Sequence, residues 1–199
     1  VALMSEGGDL LAPGETGEIV IRGAGVFAGY ENQPQANANS FTHGWFRTGD
    51  QGRLDDEGYL FISGRLKEIV NRAGEKISPR EVDEALLEHP DVAQATAFGR
   101  PHPTLGEDLA AAVVLRSGAR ADEAALRAFL FERLAAFKVP SVIALVDAIP
   151  QGPTGKVQRN SLHEKLRDQM RATFVDARTD LERSIQAIFR EVLGGGTLG

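Results

Sequence analysis

The sequence predicts an α+β protein, β-rich in its first third and built around a small helix-covered sheet thereafter. Three observations carry that expectation. Gly17-Glu18-Ile19-Val20-Ile21-Arg22 alternates as a half-buried strand does, Ser78-Pro79-Arg80-Glu81 announces a helix, and Leu109–Leu115 is nearly all apolar, as a central strand is.

Taken in order, Val1–Met4 reads as a strand, and the turn-like Ala12-Pro13-Gly14-Glu15 precedes the strand at Gly17–Arg22. The polar, Asn-rich stretch Gln33–Phe41 leaves room for one short helix. Two hairpin arms centre on Gly52-Arg53-Leu54 and Tyr59-Leu60-Phe61-Ile62, joined by Asp55-Asp56-Glu57-Gly58, whose Asp and Gly suit a tight turn. Lys67–Asn71 reads as a short strand that turns at Ala73-Gly74. In the helix that follows, Ser78 is placed to cap, Pro79 fits the first helical position and Glu81 can reach back to the cap amide. Val82, Ala85 and Leu86 give that helix its apolar face, and His89-Pro90 stops it. Strands over Val92–Phe98, Leu109–Leu115 and Val142–Val146, with a helix over Asp122–Leu134, complete the α+β unit. That helix places Leu126, Phe129, Leu130 and Leu134 on one face. A further helix is expected over Gln158–Met170, entered from the loop Gln151–Lys156. Arg171–Thr179 lacks periodicity and reads as a linker, whereas Asp180–Leu193 has Leu181, Ile185, Ile188, Phe189 and Val192 at helical spacing.

The 199 residues are 42% hydrophobic and 25% charged, with a formal net charge of −6, the balance of an ordinary globular protein. No basic patch is dense enough for nucleic acid or an anionic membrane, and no apolar run reaches membrane-spanning length. Without cysteine there is no disulfide framework, thiolate nucleophile or Cys-based zinc site. His43, His89, His102 and His163 are too far apart in sequence to seed a metal centre, so no metal ligand is assigned. With no signal peptide at its start, the chain is expected in the cytoplasm or another reducing compartment. Both ends read as cuts: Val1 enters a strand with no lead-in, and Gly194-Gly195-Gly196-Thr197-Leu198-Gly199 closes nothing.

Four short motifs could carry chemistry. In Thr48-Gly49-Asp50, a carboxylate behind a glycine can accept hydrogen bonds from two adjacent hydroxyls, as in a ribose diol; an aspartate in a turn has the same appearance. In Gly64-Arg65-Leu66-Lys67-Glu68, Arg65 and Lys67 alternate on a strand and could face an anion or swing about a pivot, or simply be solvated charges. In Asn71-Arg72-Ala73-Gly74-Glu75-Lys76-Ile77, Gly74 permits either close backbone approach by a ligand or a positive φ. In Pro153-Thr154-Gly155-Lys156, a lysine on a loop before a helix can deliver a mobile point charge to a carboxylate or phosphate, though most loop lysines do not.

Read together with Gly44-Trp45-Phe46-Arg47-Thr48-Gly49-Asp50 and Gly58-Tyr59-Leu60, these motifs stand in an order and spacing that resembles the adenylate-forming superfamily over about residues 1–167. That group contains acyl- and aryl-CoA synthetases, luciferases and the adenylation domains of nonribosomal peptide synthetases. The run from Asn71 to Val92 is most similar to 4-coumarate–CoA and oxalate–CoA ligase-like enzymes, where peptide-synthetase domains carry a different string. The stretch from Ala177 to Gly196 resembles the linker and first helix of a phosphopantetheine carrier domain.

The resemblance implies a two-step reaction with ATP, Mg2+ and CoA (or phosphopantetheine on a carrier domain), acting on a small carboxylic acid. It implies that Asp50 binds the ribose hydroxyls, that Arg65 supports the nucleotide, and that Lys67 is the hinge between a large and a small domain. Gly74, Glu75 and Lys76 would line the pantetheine tunnel, and Lys156 would be catalytic in adenylation, in a context where this lysine is reversibly acetylated. The implied divisions are 1–66 for the β-barrel-like end of the large domain, 67–167 for the small domain, 168–179 for a linker and 180–199 for a carrier-like start. The phosphate loop, adenine-binding strand and acyl pocket would lie upstream, so the chain alone is expected to be inactive. A non-catalytic carrier-protein interaction module and a peptide-synthetase-type adenylation domain stand as alternatives.

Overall fold

Alternating and continuous apolar runs both become strands, and the strands assemble into two separate sheets. The computed structural model describes residues 1–170, 179, 181, 183–185 and 187–188. The chain divides into two units, Val1–Leu166 and Arg167–Gly199.

The first sheet contains β1 (Ala2–Met4), β2 (Thr16–Ile21), β3 (Phe41–Thr42), β4 (Trp45–Leu54) and β5 (Leu60–Arg65), all paired antiparallel. The order is β1-β2-β4-β3, with β5 also on β4, which makes β4 the strand through which the sheet is joined. Helix α1 (Pro34–Ser40) leads directly into β3. Leu3 and Met4 on β1 and Ile19 and Val20 on β2 are buried, so both faces of these strands are covered at those positions.

The second sheet contains β6 (Val70–Arg72), β7 (Glu75–Ile77), β8 (Val92–His102), β9 (Gly106–Leu115) and β10 (Val142–Leu145). The apolar run is central: β9 pairs antiparallel with β8 along one edge, while its other edge meets β6 at Gly106 and β10, in parallel, from Ala110 to Val113. Helix α2 (Pro79–Leu87) packs on β8 and α3 (Glu123–Phe131) on β10. Their Val82, Leu86, Leu126 and Leu130 join Leu109, Ala111 and Val113, which share one face of β9, in one fully buried core. A single 3-10 turn, Leu66–Glu68, carries the chain from the first sheet to the second.

One buried carboxylate organises the second sheet. Asp108 accepts from Ser141 Oγ (2.5 Å), Arg100 Nη2 (2.9 Å) and the Leu109 amide (2.9 Å), and Arg72 Nε lies 3.1 Å from its Oδ1. Burial opposes its ionisation, but Ser141, Arg100, the Leu109 amide and Arg72 together outweigh that and hold the carboxyl below the ordinary carboxylate range. Arg72 also donates to the carbonyl of Phe137 (3.0 Å), so the β6–β7 hairpin is tied down next to its turn.

Several local expectations are corrected. Lys67 does not alternate with Arg65 on a strand, because the crossing between sheets is made by the 3-10 turn, closed by the Ile69 amide on the Leu66 carbonyl at 3.2 Å. Strand β6 therefore begins only at Val70, and β7 was not anticipated. Pro79 does open α2, but the capping box does not form: Ser78 Oγ donates to the Ser63 carbonyl at 2.5 Å, and Glu81 takes Lys138 Nζ at 2.7 Å. Helix α3 ends at Phe131, short of Leu134. The helix expected over Gln158–Met170 is a 3-10 turn, Arg159–Ser161, followed by a short α4 (Leu162–Lys165) that stops well before Met170, and Arg159 at its start bonds the Ala97 carbonyl of the sheet. The linker over 171–179, apart from Thr179, and most of the amphipathic helix over 180–193 lie outside the described residues, though Leu181, Arg183, Ser184, Ile185, Ala187 and Ile188 are helical. No helix among the described residues is long and apolar enough to cross a membrane.

Candidate functional site

Asp50 and Arg65 face each other across the β4–β5 pair, with Arg65 Nε 3.0 Å from Asp50 Oδ1. The register slips immediately beyond, between Gln51 and Gly52, a bulge that turns this end of the sheet. Thr48 Oγ1 donates to the Ile19 carbonyl (2.7 Å) and accepts from the Asp50 amide (3.1 Å), while Gly49, at φ +74°, donates to Glu18 Oε1 at 2.9 Å. Glu18 is itself buried and paired with Arg47, whose Nε is 2.6 Å from Oε2. Glu18 was not anticipated as part of this site, although a lone carboxylate at the start of an apolar strand is a signal for a buried, paired acid. Its effect is to hold the Gly49 backbone beside a partly exposed Asp50 carboxylate that has one oxygen on a guanidinium. That arrangement suits a vicinal diol beside an anionic group.

Lys67 lies on the 3-10 turn, exposed, two residues beyond Arg65. Gly74 lies at the tip of the β6–β7 hairpin, whose two loop residues both have positive φ, Ala73 at 52° and Gly74 at 96°. That is the primed turn a two-residue hairpin favours, and Ala73 is a strained occupant of it. The Ala73 amide on the Leu105 carbonyl (2.9 Å) and the Gly74 amide on Asn71 Oδ1 (2.9 Å) compensate. A Cβ at Gly74 would have no heavy atom within 4 Å, so its backbone is open to approach. Glu75 and Lys76 are exposed beside it, and Lys76 Nζ reaches Glu6 Oε1 of the first sheet's β1–β2 connection at 2.5 Å. The hydrogen bond, then the charge, of Lys76 lowers the Glu6 carboxyl.

Lys156 sits on a tight surface loop closed by the Gln151–Val157 bridge and by the Gly152 amide on its own carbonyl at 2.8 Å. Its side chain is exposed, and among the described residues no hydrogen bond or ion pair joins it to Asp50, Arg65 or Lys76. The structure thus brings Asp50, Arg65 and Lys67 to one end of the first sheet, and leaves the Gly74 hairpin and the Lys156 loop as separate projections of the second.

A second group missed from sequence surrounds Arg159. Its Nη2 lies 2.6 Å from Asp83 Oδ2, its Nη1 donates to the Ala97 carbonyl at 2.8 Å, and its Nε lies 3.1 Å from Glu68 Oε2. Asp83 is buried, which pushes its carboxyl up; Arg159 and the Ala97 amide, 2.5 Å from Oδ1, offset only part of that. Among the described residues no cluster of three or more His, Asp or Glu groups is placed to hold a metal ion.

Residues 81–156 match the family model described as the AMP-binding enzyme C-terminal domain. The chain is 48% identical to a probable CoA ligase of Humulus lupulus over 164 residues, covering 82% of this chain and 31% of that protein. It is also 48% identical to an oxalate–CoA ligase of Arabidopsis thaliana over 159 residues, covering 80% and 31%. Among solved structures, the o-succinylbenzoate-CoA synthetase of Bacillus subtilis in complex with its acyl-adenylate intermediate superposes with a TM-score of 0.74 at 36% identity, over 81% of this chain and 33% of that one. The chain therefore spans about a third of the length of the relatives it matches.

Proposed function

Because residues 81–156 carry an AMP-binding enzyme C-terminal domain, we propose that the chain works within an ATP-dependent acid–thiol ligase of about three times its length. The observation that carries this reading is the Asp50–Arg65 pair, held on β4 and β5 two residues ahead of the crossing at Lys67. We place the end of a large domain at 1–66, a small domain at 67–167, a linker at 168–179 and a carrier-like start at 180–199.

In the proposed reaction a carboxylate oxygen of the acid attacks the α-phosphorus of ATP, and pyrophosphate leaves. A thiol then attacks the acyl carbon, AMP leaves, and the thiol proton passes to solvent. Asp50 accepts the two ribose hydroxyls, and Arg65, held against Asp50, supports the nucleotide. Lys156 supplies an ammonium to the carboxylate and phosphate oxygens as charge builds at the five-coordinate phosphorus. Mg2+ would accompany the ATP phosphates, and no residue of this chain is assigned to it. The second step needs Lys156 withdrawn and a path for the thiol arm, so the small domain turns about Lys67 and presents the Gly74-Glu75-Lys76 tip instead. The CoA-ligase names of the relatives favour free CoA as acceptor over the arm of a carrier.

The test uses the full-length protein with oxalate, short- and long-chain fatty acids and aryl acids. ATP–pyrophosphate exchange is expected with at least one acid, and acyl thioester only after CoA is added. Exchange with none of them, or ADP as the nucleotide product, would contradict the ligase reading. A thioester that forms without CoA, and is found by mass spectrometry on the protein's own phosphopantetheine, would replace CoA with a carrier.

A further inference from the structure

Lys156 is exposed on a loop closed by its own backbone turns, yet three residues later Arg159 is fully bonded into the second sheet and its helices. All three guanidinium nitrogens are engaged, and their acceptors belong to three different elements: Glu68 on the 3-10 turn, Asp83 on α2 and Ala97 on β8. The intervening chain is only Val157 and Gln158, and the Gln158 side chain lies so close to Gly152 at the start of the loop that a Cβ there would be 2.8 Å from it. The Lys156 loop therefore has a rigid footing at Arg159.

Anchoring to Asp83 and Ala97 alone would serve a purely structural arginine. The bond to Glu68 does something else, because Glu68 is the residue next to Lys67. It joins the base of the lysine loop to the turn about which, on the ligase reading, the small domain swings. We infer that Arg159, held by Glu68, is the positioning residue for Lys156: it fixes the loop relative to the pivot, so that rotation brings the ammonium to one place rather than a range of places. A planar fork suits this role because its donors point in fixed, coplanar directions, whereas the donors of a lysine ammonium rotate about a flexible stem. The inference rests on the ligase reading, in which Lys156 serves adenylation and is withdrawn during thiol transfer.

Its test is Glu68→Gln in the full-length protein, which removes the charge of the tether and leaves the Arg159–Asp83 pair in place. The two half-reactions are measured separately, as ATP–pyrophosphate exchange and as thioester formation from supplied acyl-adenylate and CoA. Exchange kcat should fall about 10-fold, since small misplacements of a catalytic group are costly. The KM for ATP should change by no more than about twofold, and thioester formation from the adenylate should be unchanged, the pattern of a group felt in the transition state. Arg159→Lys, which keeps the charge and loses the fork, should show the same split. Equal loss of both half-reactions in both variants, or no loss of exchange in either while Lys156→Ala abolishes it, would overturn the positioning role. Absence of exchange in the unmodified protein with every acid would overturn the ligase reading itself and the inference with it, so the two failures are told apart by the unmodified protein.

Discussion

Replacing Lys156 with alanine in the full-length protein is expected to lower acid-dependent ATP–pyrophosphate exchange by about 100- to 1,000-fold. It should leave thioester formation from supplied acyl-adenylate within about threefold of the unmodified rate. On the proposed reading the size of the effect reflects where the ammonium would act: it would meet charge that exists only in the adenylation transition state, in a site that closure would make dry. The selectivity follows from geometry, because Lys156 stands on a loop of its own, apart from Asp50 and Arg65 and from the Gly74 hairpin. Acetylation of Lys156 would remove the same charge and give the same pattern. Rates of exchange and of thioester formation, measured side by side for each variant, check it, and equal loss of both would dissociate Lys156 from adenylation.

The largest effect on stability is expected at Arg159. Arg159→Met keeps much of the stem but strips the buried Asp83 of its ion-pair partner, and should cost about 3 kcal/mol at neutral pH. The pH dependence has a definite sign. Burial already holds the Asp83 carboxyl above its ordinary range, with Arg159 pulling it back; without Arg159 it rises further. A carboxyl whose folded-state value is raised binds its proton more tightly in the folded chain than in the unfolded one, where it titrates near about 3.9. The variant accordingly regains stability as pH falls through its raised folded value towards the unfolded one. The difference between variant and parent in urea unfolding should be greatest near pH 7 and shrink towards about pH 4. A penalty that stays flat or grows on acidification would show that lost packing, and not the stranded carboxyl, is responsible.

Those two residues also mark what was legible in the sequence. Local signals translated well where a single segment determines its own structure: the apolar run at Leu109–Leu115 is the central strand, and Pro79 opens α2. They failed where a polar side chain has a distant suitor. Ser78 and Glu81 have the spacing of a capping box, but Ser63 and Lys138, 15 and 57 residues away, take their hydrogen bonds instead. Lys67 has the alternation of a strand, yet it stands where the chain must leave one sheet for another, and a tight turn is the short route. The family motifs named Asp50, Arg65 and Lys156, whose surroundings are local or carried by the resemblance. Glu18 and Arg159 were passed over because their meaning lies in partners 29 to 91 positions away, at Arg47, Gly49, Asp83, Ala97 and Glu68. A buried carboxylate in an apolar strand was the one readable clue, and Glu18 gave it.

The proposed chemistry stands on the acid becoming an acyl-adenylate, and the fate of one carboxylate oxygen tests that most directly. The full-length protein is incubated with ATP, CoA and a carboxylic acid labelled with oxygen-18 in both carboxylate positions, and the nucleotide product is examined by mass spectrometry. Attack on the α-phosphorus transfers one labelled oxygen to AMP, with unlabelled pyrophosphate as the other product. Unlabelled AMP, or ADP together with labelled inorganic phosphate, would contradict it.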